Sequence, residues 1–328
     1  MMTITRRTLL SGTAALLAAP AILRPARAAT RITVASLLGR DKPETLVWTR
    51  IAELVEAELP GAFSFNVVPN AALGAEREVA EGLRLGSIQA SLLTLSALSA
   101  WAPGTQLLDL PFLFRDRAHF ARTVNGETGR MLTEELTVQG FRTPAFVNYG
   151  ARNLLAKEAL VTPETVKGRR IRVIQSPLHG ALWQAFGAYP TAIPIPETYN
   201  ALQNGVVDMM DLTISASAGF RLYEVVPVTT RTRHIWAGGV VAFSASFWDG
   251  LDAEQRDVFE RAAVTGARHF DELVMKDEVA ATQLVEDNGG SFIEPDDRAA
   301  WERIGRSVWP AFAETVGGMA RIEAAAAA

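Results

Sequence analysis

Three arginines crowd one short stretch of this chain. Arg169, Arg170 and Arg172 fall within GRRIRVIQSP, residues 168–177. Ile171, Val173 and Ile174 are β-branched and Pro177 closes the run, the pattern of a short strand. Alternation places Ile171 and Val173 on one face and Arg172 with Ile174 on the other. A guanidinium beside an isoleucine on a covered face is costly unless something pairs with it. Read from the residues alone, the partner expected is an internal acid such as Asp208 or Asp211. Arg169 and Arg170 read as a solvated edge.

The other reactive side chains form no pattern. His119, His179, His234 and His269 are far apart, without metal-ligand spacing, and read as surface or structural histidines. The carboxylates mostly belong to charged helix faces, Glu53 with Glu56 and Glu76 with Glu78 among them. No phosphate-cradling loop, dinucleotide fingerprint or nucleophile elbow is present. No enzyme activity, cofactor or metal is therefore expected, although catalytic residues distant in sequence can converge in a fold.

The chain opens with TRRTLLSGTAALLAAPAILRPARA: a basic Arg6-Arg7 pair, an apolar stretch from Leu9 to Leu23, and Ala26-Arg27-Ala28 as a small-residue cleavage site. This is an export signal, residues 1–28, cut after Ala28. Arg6-Arg7 before Thr8-Leu9-Leu10 is twin-arginine-like; the same residues also fit an ordinary secretory signal. The apolar run is short and broken by Pro20 and Pro25, so an uncleaved anchor is not expected. With no cysteine, there is neither a disulfide framework nor a lipid-attachment thiol. Residues 1–28 hold four arginines and no acid, so their removal moves the formal charge from −4 to −8. That balance offers nothing to nucleic acid, which needs concentrated positive charge. A soluble periplasmic protein is expected, long enough for two domains.

The elements that must carry these residues follow in order. Residues 31–36 form a strand and 43–59 a helix with Pro43 in its first turn. Strand 63–68, a turn, a helix ending near Gly86 and strand 87–93 come next. A second set has strands at 145–156, 170–174 and 206–212, with helices at 178–186 and 197–205 between them. Repeated β–α–β implies a largely parallel sheet with helices on both faces, in two α/β lobes around a cleft. From Asp252 to about Asp287 no proline interrupts an apolar helical stripe, which predicts one long helix along both lobes, with Gly266 as the place for a bend. Residues 301–312 read as a final helix stopped or kinked at Pro310.

Four segments in this order, PNAALGAEREVAEGLRLGSI, LLDLPFLFRD, GARNLLAKEALVTPETVKGRRIRVIQSP and GAYPTAIPIPETYNALQNGVVD, resemble the DctP-type substrate-binding proteins of tripartite ATP-independent periplasmic (TRAP) transporters. The most specific parts are Pro-Phe-Leu-Phe at 111–114, the Lys-Gly-x-x-Ile-Arg run ending at Arg172, and ETYNALQNGVVD at 197–208. The resemblance implies an α/β, two-lobed periplasmic binding protein (type II-like) with a hinge and a long helix spanning both lobes. It implies lobe I at 29–149 and 238–277, and lobe II at 150–237 and 278–328. The implied function is capture of a small organic acid and its delivery to a membrane permease of a small and a large subunit, driven by a sodium gradient.

The resemblance also assigns residues. Arg172 matches the family arginine that grips the ligand carboxylate, a task suited to a planar fork that lysine cannot imitate. Arg152 matches a second arginine near the ligand, its alternative being an inter-strand ion pair. Leu37 and Thr94 fall at first-lobe strand ends where the family contacts ligand, and Ile195 stands where relatives often carry an aromatic ring. Trp236 is a candidate wall of the cleft, or core. Many relatives follow Val-Asp with Gly-Gln-Glu-Asn, whose last amide helps hold the carboxylate; here Leu212 stands in that place and cannot donate. Asp211 is then expected to accept from a hydroxyl or amine of the ligand, with Thr213 or Ser215 replacing the lost donor. A monocarboxylate with a polar substituent is the expected ligand. Two other readings remain open, an exported enzyme using the same cleft and a receptor that presents its ligand to a sensor.

Overall fold

The computed structural model describes residues 29–328; the expected export signal, residues 1–28, lies outside the described residues. TRITVA and FSFNVV form β1 (Thr30–Ala35) and β2 (Phe63–Val68), which turn Ile32, Val34 and Phe63 into the core. The helix between them, Pro43–Glu58, starts on proline and buries Val47, Trp48, Ile51 and Val55 on one face. Helix Glu76–Leu85 stops at Gly86, whose φ of 79° is a left-handed conformation that glycine adopts without steric cost. β3 (Ala90–Thr94) follows, and β1 pairs parallel with both β2 and β3.

β4 (Phe141–Ala156) leads into the second set: β5 (Arg170–Val173), helix Pro177–Ala185, β6 (Tyr189–Ala192), helix Ile195–Gln203 and β7 (Met209–Thr213). β5 pairs parallel with β6 and β7. The return strand β8 (Val228–Ser244) completes the frame, with the short β9 (Ser291–Ile293) beside it. The nine strands of the described residues join in one sheet, in the order β2-β1-β3-β8-β4-β7-β5-β6 with β9 off this path. Its two flanks are parallel, as expected, but its centre is antiparallel, because β8 pairs antiparallel with β3 and β4, and β4 with β7.

β8 was not anticipated. Gly238 and Gly239 interrupt its pattern, and glycine weakens a strand prediction. Close packing explains both: a Cβ on Gly239 would sit 2.5 Å from the Tyr149 ring, and one on Gly238 2.8 Å from Leu95 and Phe120. Helices Arg117–Val124 and Glu127–Val138 were also not anticipated.

The long helix is a single element, Ala253–Asp287, of 35 residues. Asp252 caps its first turn, accepting from the Gln255 backbone while the Gln255 side chain returns a bond to Asp252. The expected helix over 301–312 divides into Arg298–Arg306 and Trp309–Phe312, with Ser307 and Val308 at the break and Pro310 inside the second piece.

Two apolar clusters cover the faces of the β1–β3 side of the sheet. One is built on Ile32, Trp48, Phe243 and Phe259, the other on Leu83, Leu98, Leu132 and Phe141. The β5–β7 side has its own pair, one around Trp183, Phe186 and Trp301 and one around Ile193, Leu202 and Met210. These are the two lobes. β4 and β8, strands of 16 and 17 residues that advance about 3.3 Å per residue, run through both. After Trp301 the chain crosses back, and Val308, Val316, Ile322 and Ala325 pack into the first lobe's core. Among the described residues, no helix is long and apolar enough to cross a membrane.

Candidate functional site

β1, β3, β5 and β7 end facing the same crevice, and in open α/β sheets ligands bind outside the carboxyl ends of strands. The first lobe contributes Leu37 and Leu38 after β1, Glu44 at the start of helix Pro43–Glu58, Glu76 at the start of helix Glu76–Leu85, and Thr94 at the end of β3. The second contributes Arg172 and Ile174 of β5, Ile195, Leu212 and Thr213 of β7, Ser215 and Phe220. Tyr149 and Arg152 of β4 and Ala237 of β8 form the floor, and Phe270 and Val274 of the long helix close one side. The space between these side chains is about 690 Å³, a figure that includes the part open to solvent.

The arginines divide as alternation along β5 requires. Ile171 and Val173 enter the apolar cluster behind the strand, while Arg172 and Ile174 face the cleft. Arg170 pairs with Asp208 at 2.6 Å and Arg169 with Glu158 at 2.7 Å, both at the exposed edge. Arg172 is 2% exposed, and its Nε donates to the Ile193 carbonyl at 2.8 Å. Among the described residues it has no acid partner, so the internal pairing expected from the residues alone does not occur. Asp208 belongs to Arg170, and Asp211 to Arg152. Burial first, then the neighbouring Arg152, lowers the Arg172 pKa to about 10, which still leaves it charged at neutral pH.

Arg152 is tied down. Its Nε donates to Asp211 Oδ2 at 2.5 Å and its Nη2 to the Asp211 carbonyl at 2.7 Å. His234 Nε2 lies 3.1 Å from the same carboxylate, and its Nδ1 lies 2.8 Å from Thr232 Oγ1. Burial works against the Asp211 charge, but Arg152 and then His234 outweigh it and hold the carboxyl well below its usual range. A carboxylate only accepts, so His234 donates through Nε2 and accepts from the Thr232 hydroxyl through Nδ1.

Of the nine sequence candidates, Arg172, Arg152, Thr94, Leu37, Ile195, Leu212 and Thr213 line the cleft. Asp211 and Trp236 do not. Asp211, a β7 residue, is fully buried and paired with Arg152 rather than set in the cleft wall. Trp236 packs against the first lobe's core with the Arg117 guanidinium 5.7 Å from its ring. Ser215 is also occupied, donating to Asp277 at 2.5 Å, whereas the Thr213 hydroxyl makes no hydrogen bond among the described residues.

Sequence reading missed two acids of the wall. Glu76 is not part of a solvated helix face: it accepts from the Thr94 amide at 2.8 Å, and burial raises its pKa against the pull of Thr94, Arg172 and Arg152. Glu44 is 5% exposed, accepts from the Leu37 amide at 2.6 Å and from Ser36 Oγ at 3.0 Å, and is raised by burial to about 7. Its place just after a helix-starting proline carries no sign of the cleft. Tyr149, one residue from the quoted GARN segment, is buried enough for its hydroxyl to be pushed well above the usual value. Among the described residues, no group of side chains suits a metal ion.

The sequence profile of the bacterial extracellular solute-binding proteins, family 7, matches residues 34–315. The C4-dicarboxylate-binding periplasmic protein DctP of Rhodobacter capsulatus is 30% identical over 320 residues, covering 95% of this chain and 94% of that protein. The fold is similar to that of a TRAP periplasmic solute-binding protein from Shewanella oneidensis with bound succinate, with a TM-score of 0.87 and 28% identity over 92% of this chain and 99% of that one. It is also similar to one from Polaromonas sp. JS666 bound to D-erythronate, with a TM-score of 0.88 and 25% identity over 91% and 98% of the two chains.

Proposed function

The chain belongs to the bacterial extracellular solute-binding proteins of family 7, and from that membership we propose that it is the receptor that captures a small organic acid between its lobes and hands it to a TRAP permease of a small and a large subunit. The observation that carries the reading is Arg172, a buried guanidinium facing the cleft with no acid beside it among the described residues. A charge in that position calls for a partner from solution. The fork of Arg172 takes two oxygens of a carboxylate, and its Nε bond to Ile193 fixes the direction in which it points. Arg152, held by Asp211, offers its remaining Nη1, and Thr213 replaces the donor that Leu212 lacks. Leu37 and Thr94 contact the ligand from the first lobe, and Ile195 and Leu212 wall it from the second. The lobes divide as 29–149 with 238–277, and 150–237 with 278–328, the last of these turning back at 308–328 to pack on the first lobe's core.

A thermal-shift screen of hydroxy, keto, amino, sugar and aromatic acids identifies a probe, since a ligand at about 100 times its Kd adds roughly 2.7 kcal/mol. Calorimetry with that probe then tests Arg172. Arg172→Ala lowers affinity by about two to four decades, because losing one partner of a buried charge pair costs about 3–5 kcal/mol. Arg172→Lys also binds more weakly, since it keeps charge without the fork. Both variants melt near the wild-type temperature without ligand. Unchanged affinity in folded variants removes Arg172 from the site.

A further inference from the structure

We propose, resting on the reading of this cleft as an organic-acid site, that the acid has one carboxylate and an uncharged, mainly apolar body, and that Glu44 and Glu76 together reject a second carboxylate. The cleft is charged unevenly. Its cations among the described residues, Arg152 and Arg172, stand on neighbouring parts of one wall, and Arg152 already gives two donors to Asp211. Across from them the first lobe presents two acids. Glu76 is close enough to raise the pKa of Glu44, and the Tyr149 hydroxyl feels both. Among the described residues, no lysine, histidine or third arginine lines the space.

A dicarboxylate gripped by Arg172 brings its far end toward this acidic side, where Arg172 is engaged with the first carboxylate and Arg152 with Asp211, so no cation is left for the second. It loses hydration and gains like-charge repulsion. A hydroxyl, by contrast, donates, and Glu76, which lies within reach of the Arg172 and Arg152 charges, can accept from it. Apolar side chains such as Leu38, Ile174, Ile195, Leu212, Phe220 and Phe270 make up much of the remaining surface, beside Thr94, Tyr149, Thr213 and Ser215, and they reward burial of carbon. The ligand class is therefore a hydroxy monocarboxylate with an aliphatic or aromatic body. It differs from the succinate bound by the Shewanella oneidensis protein.

A matched pair isolates the distal carboxylate: 2-hydroxyhexanoate and 2-hydroxyadipate have the same chain length and differ only at the far end. Calorimetry at pH 8, above the pKa of about 7 to which Glu44 is raised, reads the ratio of their affinities. The wild-type protein is expected to prefer 2-hydroxyhexanoate by at least about 100-fold. Glu44→Gln and Glu76→Gln are each expected to narrow that ratio by about tenfold or more. A smaller wild-type preference, the reverse preference, or binding of neither acid overturns the inference, as does an unchanged ratio in both folded variants. The wild-type comparison stands even where a variant fails to fold. If 2-hydroxyadipate wins and Arg172→Ala abolishes its binding, this inference fails while the organic-acid reading survives. Binding of both acids that ignores Arg172 sinks that reading as well.

Discussion

The guanidiniums of Arg152 and Arg172 share a wall but stand in opposite relations to the rest of the chain. Arg152 donates twice to Asp211, whose carboxylate also accepts from His234, so breaking that pair harms the fold. Asp211→Asn is expected to lower apo stability by about 3–5 kcal/mol, read from denaturant midpoints, whereas Arg172→Ala is not. Equal losses in the two variants would contradict this division of roles. Glu44 makes a pH-dependent prediction. Its pKa is raised from 4.5 to about 7 by burial, with Glu76 adding repulsion and Ser36 and the Leu37 amide opposing both. The folded state therefore binds more protons than the unfolded state across that window. Stability is fully present below about pH 4.5 and falls as pH rises toward 7, by at most about 3 kcal/mol for this group. Asp271, raised to about 6, and Glu76 act in the same direction. Glu44→Gln should reduce the loss between pH 5 and pH 8 while these two still contribute; identical slopes in variant and wild type would refute the assignment. Arg172 was legible as a problem in the sequence because a strand's alternation exposes a misplaced charge. Glu44 was not, because an acid in a first helical turn looks the same whether solvent or a cleft lies beyond it.

At the scale of elements, the flanks of the sheet were readable and its centre was not. β1, β2 and the helix between them follow from alternation, a proline start and helical spacing of Val47, Ile51 and Val55. β8 hid behind two glycines whose reason is a neighbouring ring and carbonyl far away in sequence. Gly266 carries the same lesson inside a helix. A Cβ there would sit 2.5 Å from Ile51 Cγ1, so the glycine is what lets the long helix lie close on helix Pro43–Glu58. Alanine gains about 1 kcal/mol in helix propensity at such a site, but overpacking typically costs about 1–3. Gly266→Ala is thus expected to destabilise the protein by about 1–2 kcal/mol, seen as a lower urea midpoint with an unchanged slope. A stabilised variant would mean that Ile51 yields easily and the close approach has no energetic weight.

For the whole molecule, the connections decide how the lobes move. β4, β8 and the long helix all pass between them, and Asp277 on that helix holds Lys42 of the first lobe at 3.2 Å and Ser215 of the second at 2.5 Å. Two strands and a helix bent together make a hinge, and ligand bound to both lobes favours closure. Small-angle scattering is expected to show a smaller radius of gyration with saturating ligand; an unchanged radius counts against the hinge. Asp277→Asn weakens the tie across the lobes, so its unliganded form should scatter as the more open particle. The uncompensated guanidinium of Arg172 reaches further than affinity. On the proposed reading, an empty receptor carries a buried charge that its ligand satisfies, so filled molecules visit opened states less often by the factor that binding adds to stability. Proteases cleave from such opened states. Starved of substrate, the cell's proteolysis would fall first on the idle copies, and the abundance of the receptor would track its supply without any change in transcription.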